Sequence, residues 1–241
     1  MIREVKIKQN DFLALLADSL ILYEAATNSR EPELVNALSK ASVLSSCYAL
    51  EAAANSFLES VEVSSDLKNK IDRFITLQKF DFVLQWHTGK ALPKGCLETQ
   101  QVKELIDGRN SMVHPSIVTE RQQVRTEPGD ENFSAYHYTM ADDEKKVGSA
   151  KKFNFDFSNL KIADAKEAVL RVVKFLNCLV IEWWGITHDD AALLLFQTWD
   201  GSIRAQPLMF ERHQIEVLLR HNEFLQIKFI GIYGLLGGES L

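Results

Sequence analysis

Residues 36–60, NALSKASVLSSCYALEAAANSFLES, place the strongest constraint on what this chain can fold into. The run is rich in alanine and other small residues. Alanine favours the helix, and small side chains lower its surface so that a neighbouring helix can pack close. Pro32 suits the first turn of a helix. One long helix from Pro32 to about Glu62 is therefore predicted, with other helices packed against it.

Those neighbours can be read from period and punctuation. Asp11 to Thr27 carries Leu13, Leu16, Leu20 and Tyr23 on one stripe, the mark of an amphipathic helix. Ser64, Ser65 and Asp66 look like the N-cap region of a helix through Leu77, and a further helical stretch covers about Phe80 to Thr88. GKALPKG, residues 89–95, is a loop, and Gln100 to Val113 is helical until Pro115 ends it. The period then changes. IVTERQQVRT is followed by the turn Glu127-Pro128-Gly129-Asp130, and the stretches around Tyr136–Met140 and Phe153–Phe157 alternate with period two. This predicts a β-meander over about 117–158, followed by a long amphipathic helix over about Asn159–Trp184. The remainder reads as a hairpin of AALLLFQTW and SIRAQPLMF with a type I′ turn at Asp200-Gly201, a short helix in ERHQIEVLLRH and a final strand in FLQIKFIGIYG. The expected fold is mainly α: a helical domain over 1–186 with a β-meander insertion, then a small α+β extension over 187–241.

Apolar residues make up 46% of the chain, enough to bury a core without staples. The net charge of −6 argues against broad, nonspecific polyanion binding, while leaving room for a small basic site. Cys47, Cys96 and Cys178 are odd in number and widely spaced. No disulfide, zinc site or other cofactor is expected, and a reducing, cytoplasmic compartment fits. The N-terminus, MIREVKIKQNDF, has no apolar signal region. The most apolar helix, around Val169–Trp184, is interrupted by Arg171, Lys174, Asn177 and Glu182, so no membrane span is expected.

One segment points to chemistry. On the helix ending at Val113, the residues Val102, Leu105, Ile106, Arg109 and Val113 form one stripe, so Arg109 sits where an apolar residue belongs. A charge there is costly unless it is paired or faces a cleft or an interface. Asn110 and His114 share the adjacent face at a spacing of four. An imidazole moves protons near neutral pH, and a guanidinium holds a phosphate through two hydrogen bonds and meets growing negative charge. With Asn110 orienting either group, the set suits metal-independent RNA cleavage, in which the ribose 2′-OH attacks the adjacent phosphorus. No Asp/Glu/His cluster suggests a metal. The same residues also admit a plain structural role, in which Arg109 and Asn110 cap carbonyls and His114 closes the helix.

LIDGRNSMVHP, residues 105–115, resembles the signature of the HEPN superfamily: an Arg, four to six residues, then a His, with a polar residue commonly after the Arg. Tyr48-Ala-Leu-Glu51-Ala-Ala-Ala-Asn55 resembles the Ala/Glu/Asn-rich helix that many of these domains carry. The resemblance covers about residues 10–115 and 159–184 and says nothing of 187–241. It implies a helical bundle, usually a homodimer, that is either a ribonuclease of toxin–antitoxin, phage-defence or RNA-processing type or an inactive binding module. Arg109 would then stabilise the transition state, His114 would act as acid or base, and Asn110 would orient. The expected partners are a second copy, RNA, and an antitoxin or regulatory protein. Two readings stand side by side: a composite ribonuclease site across a two-fold axis, or a non-catalytic module that binds a nucleotide, an RNA or a protein.

Other residues are assigned lesser parts. A buried arginine needs a carboxylate, which makes Glu51 the candidate partner of Arg109. His188-Asp189-Asp190 reads as a turn or cap, and His213 and His221 as surface residues. The meander's cations and aromatics, such as Lys151, Lys152, Tyr136 and Phe155, read as a sheet with an aromatic face on the bundle, because nearby acids cancel much of the charge.

Overall fold

The computed structural model describes residues 6–114, 124–125, 139–140, 160–200 and 208–236. Its centre is the small-residue helix. Here α2 spans Pro32–Leu58, about 40 Å at 1.5 Å per residue, and ends four residues short of the expected Glu62. Helix α1 (Phe12–Asn28) folds back on it through a three-residue link, Ser29–Glu31, as an α-hairpin. Among the described residues this pair makes the most extensive contact between two elements. Serine and alanine permit the close approach. Ser42 Oγ donates to the Ser19 carbonyl at 2.6 Å, and Ser46 Oγ to the Ser42 carbonyl at 2.9 Å, so these buried hydroxyls stay satisfied.

Further helices pack around this pair. The expected helix through Leu77 breaks in two: α3 (Ser65–Ile71), then a turn over 72–75, then α4 (Thr76–Thr88). The break is stabilised by Gln78, whose side chain accepts the Ile75 N–H at 3.2 Å and caps the new helix. Helix α5 (Leu97–Val113) starts three residues before the expected Gln100. Helix α6 (Ile162–Asn177) continues into a π-helical turn, Cys178–Trp184, closed by Gly185 at φ 77°. Arg171 ties α6 to α5. It is 2% exposed, with Nε 3.0 Å from Glu167 Oε1 and Nη1 3.2 Å from both Glu104 Oε2 and the Gln101 carbonyl.

Within the region read as a meander, β2 (Val124–Arg125) pairs antiparallel with β3 (Thr139–Met140). The remaining meander residues, including 153–157, lie outside the described residues.

The C-terminal region departs most from expectation. Residues 191–195, read as a strand, belong to helix α7 (His188–Leu195). Thr187 caps α7: its Oγ1 accepts the Asp190 N–H at 3.1 Å and donates to Asp190 Oδ2 at 2.7 Å. Only β4 (Gln197–Asp200) remains as a strand, paired with β5 (Leu208–Met209). A two-residue turn at Asp200-Gly201 would set Trp199 against Ser202. The observed register sets Thr198 against Leu208, which is not the pairing of such a turn, and Gly201 itself lies outside the described residues. Strand β1 (Lys6–Lys8), at the other end of the chain, pairs antiparallel with the far edge of β4 and completes a three-stranded sheet.

After helix α8 (Arg212–Leu225) the expected final strand does not form. Its backbone donors go to asparagine side chains instead of a ladder. Asn222 Oδ1 accepts the Ile227 N–H at 2.8 Å, and Asn177 Oδ1 accepts those of Lys228 and Phe229 at 2.8 and 3.0 Å. The alternation that suggested a strand is still used, because Ile227 and Phe229 are buried.

One apolar core runs through all of this. Phe12 of α1 meets Phe229 edge-on at 5.9 Å, and Asn10 Nδ2 donates to the Leu194 carbonyl at 2.9 Å. The molecule is mainly helical with a small antiparallel sheet. Among the described residues no helix is long and apolar enough to cross a membrane.

Candidate functional site

Along α5, burial fades toward the C-terminus. Val102 and Leu105 are fully buried, and Ile106 packs against the core. Arg109, next on the stripe, keeps 23% of its side chain exposed, and Val113 is 41% exposed. The stripe therefore runs out of core at Arg109, which faces α2 at the edge of the bundle.

The guanidinium is held from three directions. Its Nη2 lies 3.3 Å from Glu51 Oε2 on α2. Its Nη1 donates to Asn110 Oδ1 at 3.1 Å. Its Cζ stands 5.2 Å from the centroid of the Tyr48 ring, a cation–π geometry. Two acceptors and an aromatic face fix the plane of the fork, and a planar fork is what two-point recognition of a phosphate needs.

Arg109, Asn110 and Glu51 together wall a cleft of about 280 Å³ between α2, α5 and the turn before α4. Lys79 and Arg73 also line it. Glu51 is shared with a second cleft of about 470 Å³, on the side of β1 and the start of α1, where Lys8 and Glu59 stand. Burial lowers the pKa of the Lys8 amine, with Glu59 acting in the opposite sense.

His114 lies apart from these groups. It is the C-cap of α5, with its N–H bonded to the Asn110 carbonyl at 2.9 Å. Its side chain is exposed and is not in the cleft wall. Among the described residues the imidazole has no hydrogen-bond or ion-pair partner. Arg109, Asn110 and Glu51 are thus brought together within one chain, and His114 is presented to the outside.

Lys79 escaped the sequence reading. It is 6% exposed, and its Nζ donates to Asn55 Oδ1 at 2.6 Å. A signal was there: Lys79 falls at helical spacing with Ile75, Phe82 and Val83, so it is a charge on an apolar stripe like Arg109. His221 corrects another reading. It is not a surface residue, since its side chain is 16% exposed and its Nε2 lies 2.8 Å from Glu24 Oε1, joining α8 to α1.

Two further groups look reactive and are not. Burial pushes the Cys47 thiol up to about 12, against the pull of Arg109 and with the help of Glu51. It is therefore an inert apolar filler. Ser60 Oγ sits 2.9 Å from His87 Nε2, but its single proton goes to the Phe57 carbonyl at 2.6 Å. The imidazole must therefore donate to the hydroxyl, the reverse of nucleophile activation. Among the described residues, no three His, Cys, Asp or Glu side chains gather in a metal-binding group. Set against known proteins, the chain matches no family model, no curated protein and no solved structure.

Proposed function

We propose that this chain is a HEPN-like ribonuclease that cleaves RNA without a metal ion, at a site composed of Arg109, Asn110 and His114 from two copies. One observation carries the reading. The Arg109 guanidinium is oriented by Glu51 and Asn110 at a cleft, on the same helix that ends in an exposed His114 without a side-chain partner among the described residues.

The chemistry follows from the parts. An imidazole takes the proton from a ribose 2′-OH, and the oxygen attacks the adjacent phosphorus. The new O2′–P bond forms as the P–O5′ bond breaks, and O5′ receives a proton from a second acid. Arg109 meets the charge that gathers on the phosphoryl oxygens. Each chain supplies one motif histidine, whereas the reaction needs a base and an acid. A two-fold axis past the end of α5 would supply both. The products then end in a 2′,3′-cyclic phosphate and a 5′-OH. The test is end-group analysis of RNA incubated with the protein in EDTA. Replacing the ribose at the cleaved position with deoxyribose should abolish the cut. Fragments ending in 3′-OH and 5′-phosphate would contradict the mechanism.

A second reading has one specific observation in its favour: His114 does not line the Arg109 cleft within one chain. A non-catalytic HEPN-like module would use the cleft to bind a nucleotide, an RNA or a partner protein and leave His114 idle. Binding without cleavage, unchanged in His114→Ala, would establish it.

A further inference from the structure

We infer that the surface leading from the Arg109 cleft along α4 is a track for a single strand of nucleic acid, with exposed rings stacking on bases and the cleft arginines, Arg73 and Arg109, meeting phosphates. The inference rests on reading the Arg109 cleft as a phosphate-facing site, and it adds the path that the strand takes.

The track begins at Phe74, which stands in the cleft wall with Arg73 and Arg109. The Phe74 ring meets that of Phe82 edge-on at 6.3 Å, and Phe82 lies 6.1 Å from Trp86 with the planes 28° apart. Phe82 and Trp86 are four residues apart, so they form one ridge of α4. Phe82 is anchored against the core, whereas Phe74 and Trp86 are 38% and 50% exposed. Ile75 beside them is 62% exposed. A row of partly exposed aromatic rings can accept any base, because every base has a π-face.

Charge decides between nucleic acid and an apolar protein partner. Arg73, Lys79 and Arg109 line the cleft at the head of the row against Glu51 and Asp72, three cations to two carboxylates; the two arginines are the groups placed to meet phosphates, while the Lys79 amine is buried on Asn55 and adds only its field. This local excess has the opposite sign to the chain as a whole, whose net charge is −6. An aromatic row that runs into a locally cationic cleft matches a polyanion with planar bases. The acidic remainder limits the footprint to this strip.

Binding can be measured by fluorescence anisotropy on the full-length His114→Ala protein, with labelled decauridylate and decathymidylate as probes. Both strands should bind, because stacking does not require the 2′-OH. Trp86→Ala and Phe74→Ala should each raise Kd by roughly 5- to 150-fold, the span of one lost base–aromatic stack. Leu97→Ala removes a side chain 64% exposed at the other end of α5 and should change nothing. Equal affinity in Trp86→Ala, Phe74→Ala and the parent overturns the track, as does failure of both probes to bind. If the substitutions dissociate a dimer while the affinity holds, the strip is an interface between copies and the track is likewise overturned. Wild-type cleavage is scored separately. Binding that depends on the row without cleavage leaves the track and removes the ribonuclease reading. Cleavage with a KM unmoved by Trp86→Ala removes the track alone.

Discussion

Arg109 and Glu51 meet across two helices, Nη2 to Oε2 at 3.3 Å, and this pair joins the motif helix α5 to the central helix α2. Both side chains are partly exposed, at 23% and 42%. An ion pair in that setting adds little to stability. Its effect is on geometry: it sets the plane of a guanidinium that Asn110 grips from the other side.

Glu51→Gln therefore separates orientation from folding. Stability should fall by less than about 1 kcal/mol in urea denaturation. Turnover of RNA should fall by up to about 100-fold, the scale of a catalytic group displaced by an ångström. Loss of fold and activity together would make Glu51 a structural residue.

Asn55 and Lys79 give the contrasting case, a contact that is buried. Asn55→Ala removes the acceptor of Lys79 Nζ, which is 6% exposed. The expected cost is about 1.5–3 kcal/mol in urea, as for lost hydrogen bonds to charged groups. The double variant with Lys79→Met should recover part of it, since no polar group is then stranded. Additive losses would show that the pair is not coupled.

The shared core bears on residues 187–241. Phe229 is fully buried against Phe12, and β1 pairs with β4. Phe229→Ala should cost about 3–5 kcal/mol. Truncation after residue 186 should produce a protein that loses its cooperative thermal transition. A truncated chain with an unchanged transition would show that the helices before it are self-sufficient.

Cys47 reports on the packing under the site. With its thiol pushed up to about 12 by burial, it should resist alkylation at pH 8 in the native protein. Protection should persist until urea opens α2 from α5, where Cys47 Sγ contacts the Leu105 carbonyl at 3.8 Å. Rapid labelling of native Cys47, identified by peptide mass, would mean that this seam is open.

Where the sequence was legible, a periodic signal and a local stop signal agreed. The helices around Leu16, Leu50 and Val102 carry apolar stripes, with Pro32 opening the second and Pro115 following the third, and they form within a few residues of expectation. The charge on an apolar stripe at Arg109 was legible for the same reason. The end of the chain was not. FLQIKFIGI alternates like a strand, yet its backbone is claimed by Asn177 and Asn222, partners distant in sequence or hidden in the preceding helix. The AALLL run is apolar enough for either state, and the cap at Thr187 decided for helix. Nor could a single-chain pattern place His114 relative to the cleft, because Arg109 turns inward toward α2 while His114 caps the free end of α5.

The central claim is tested most directly by the rate of RNA cleavage in EDTA, compared across wild type, His114→Ala and Arg109→Ala on a broad panel of RNAs. The account predicts cleavage by the wild type. It predicts a loss of about 10²–10⁴-fold in His114→Ala and a comparable loss in Arg109→Ala, with both variants keeping the wild-type thermal transition. Cleavage at an unchanged rate in His114→Ala, or an intact panel with the wild-type protein, would contradict it.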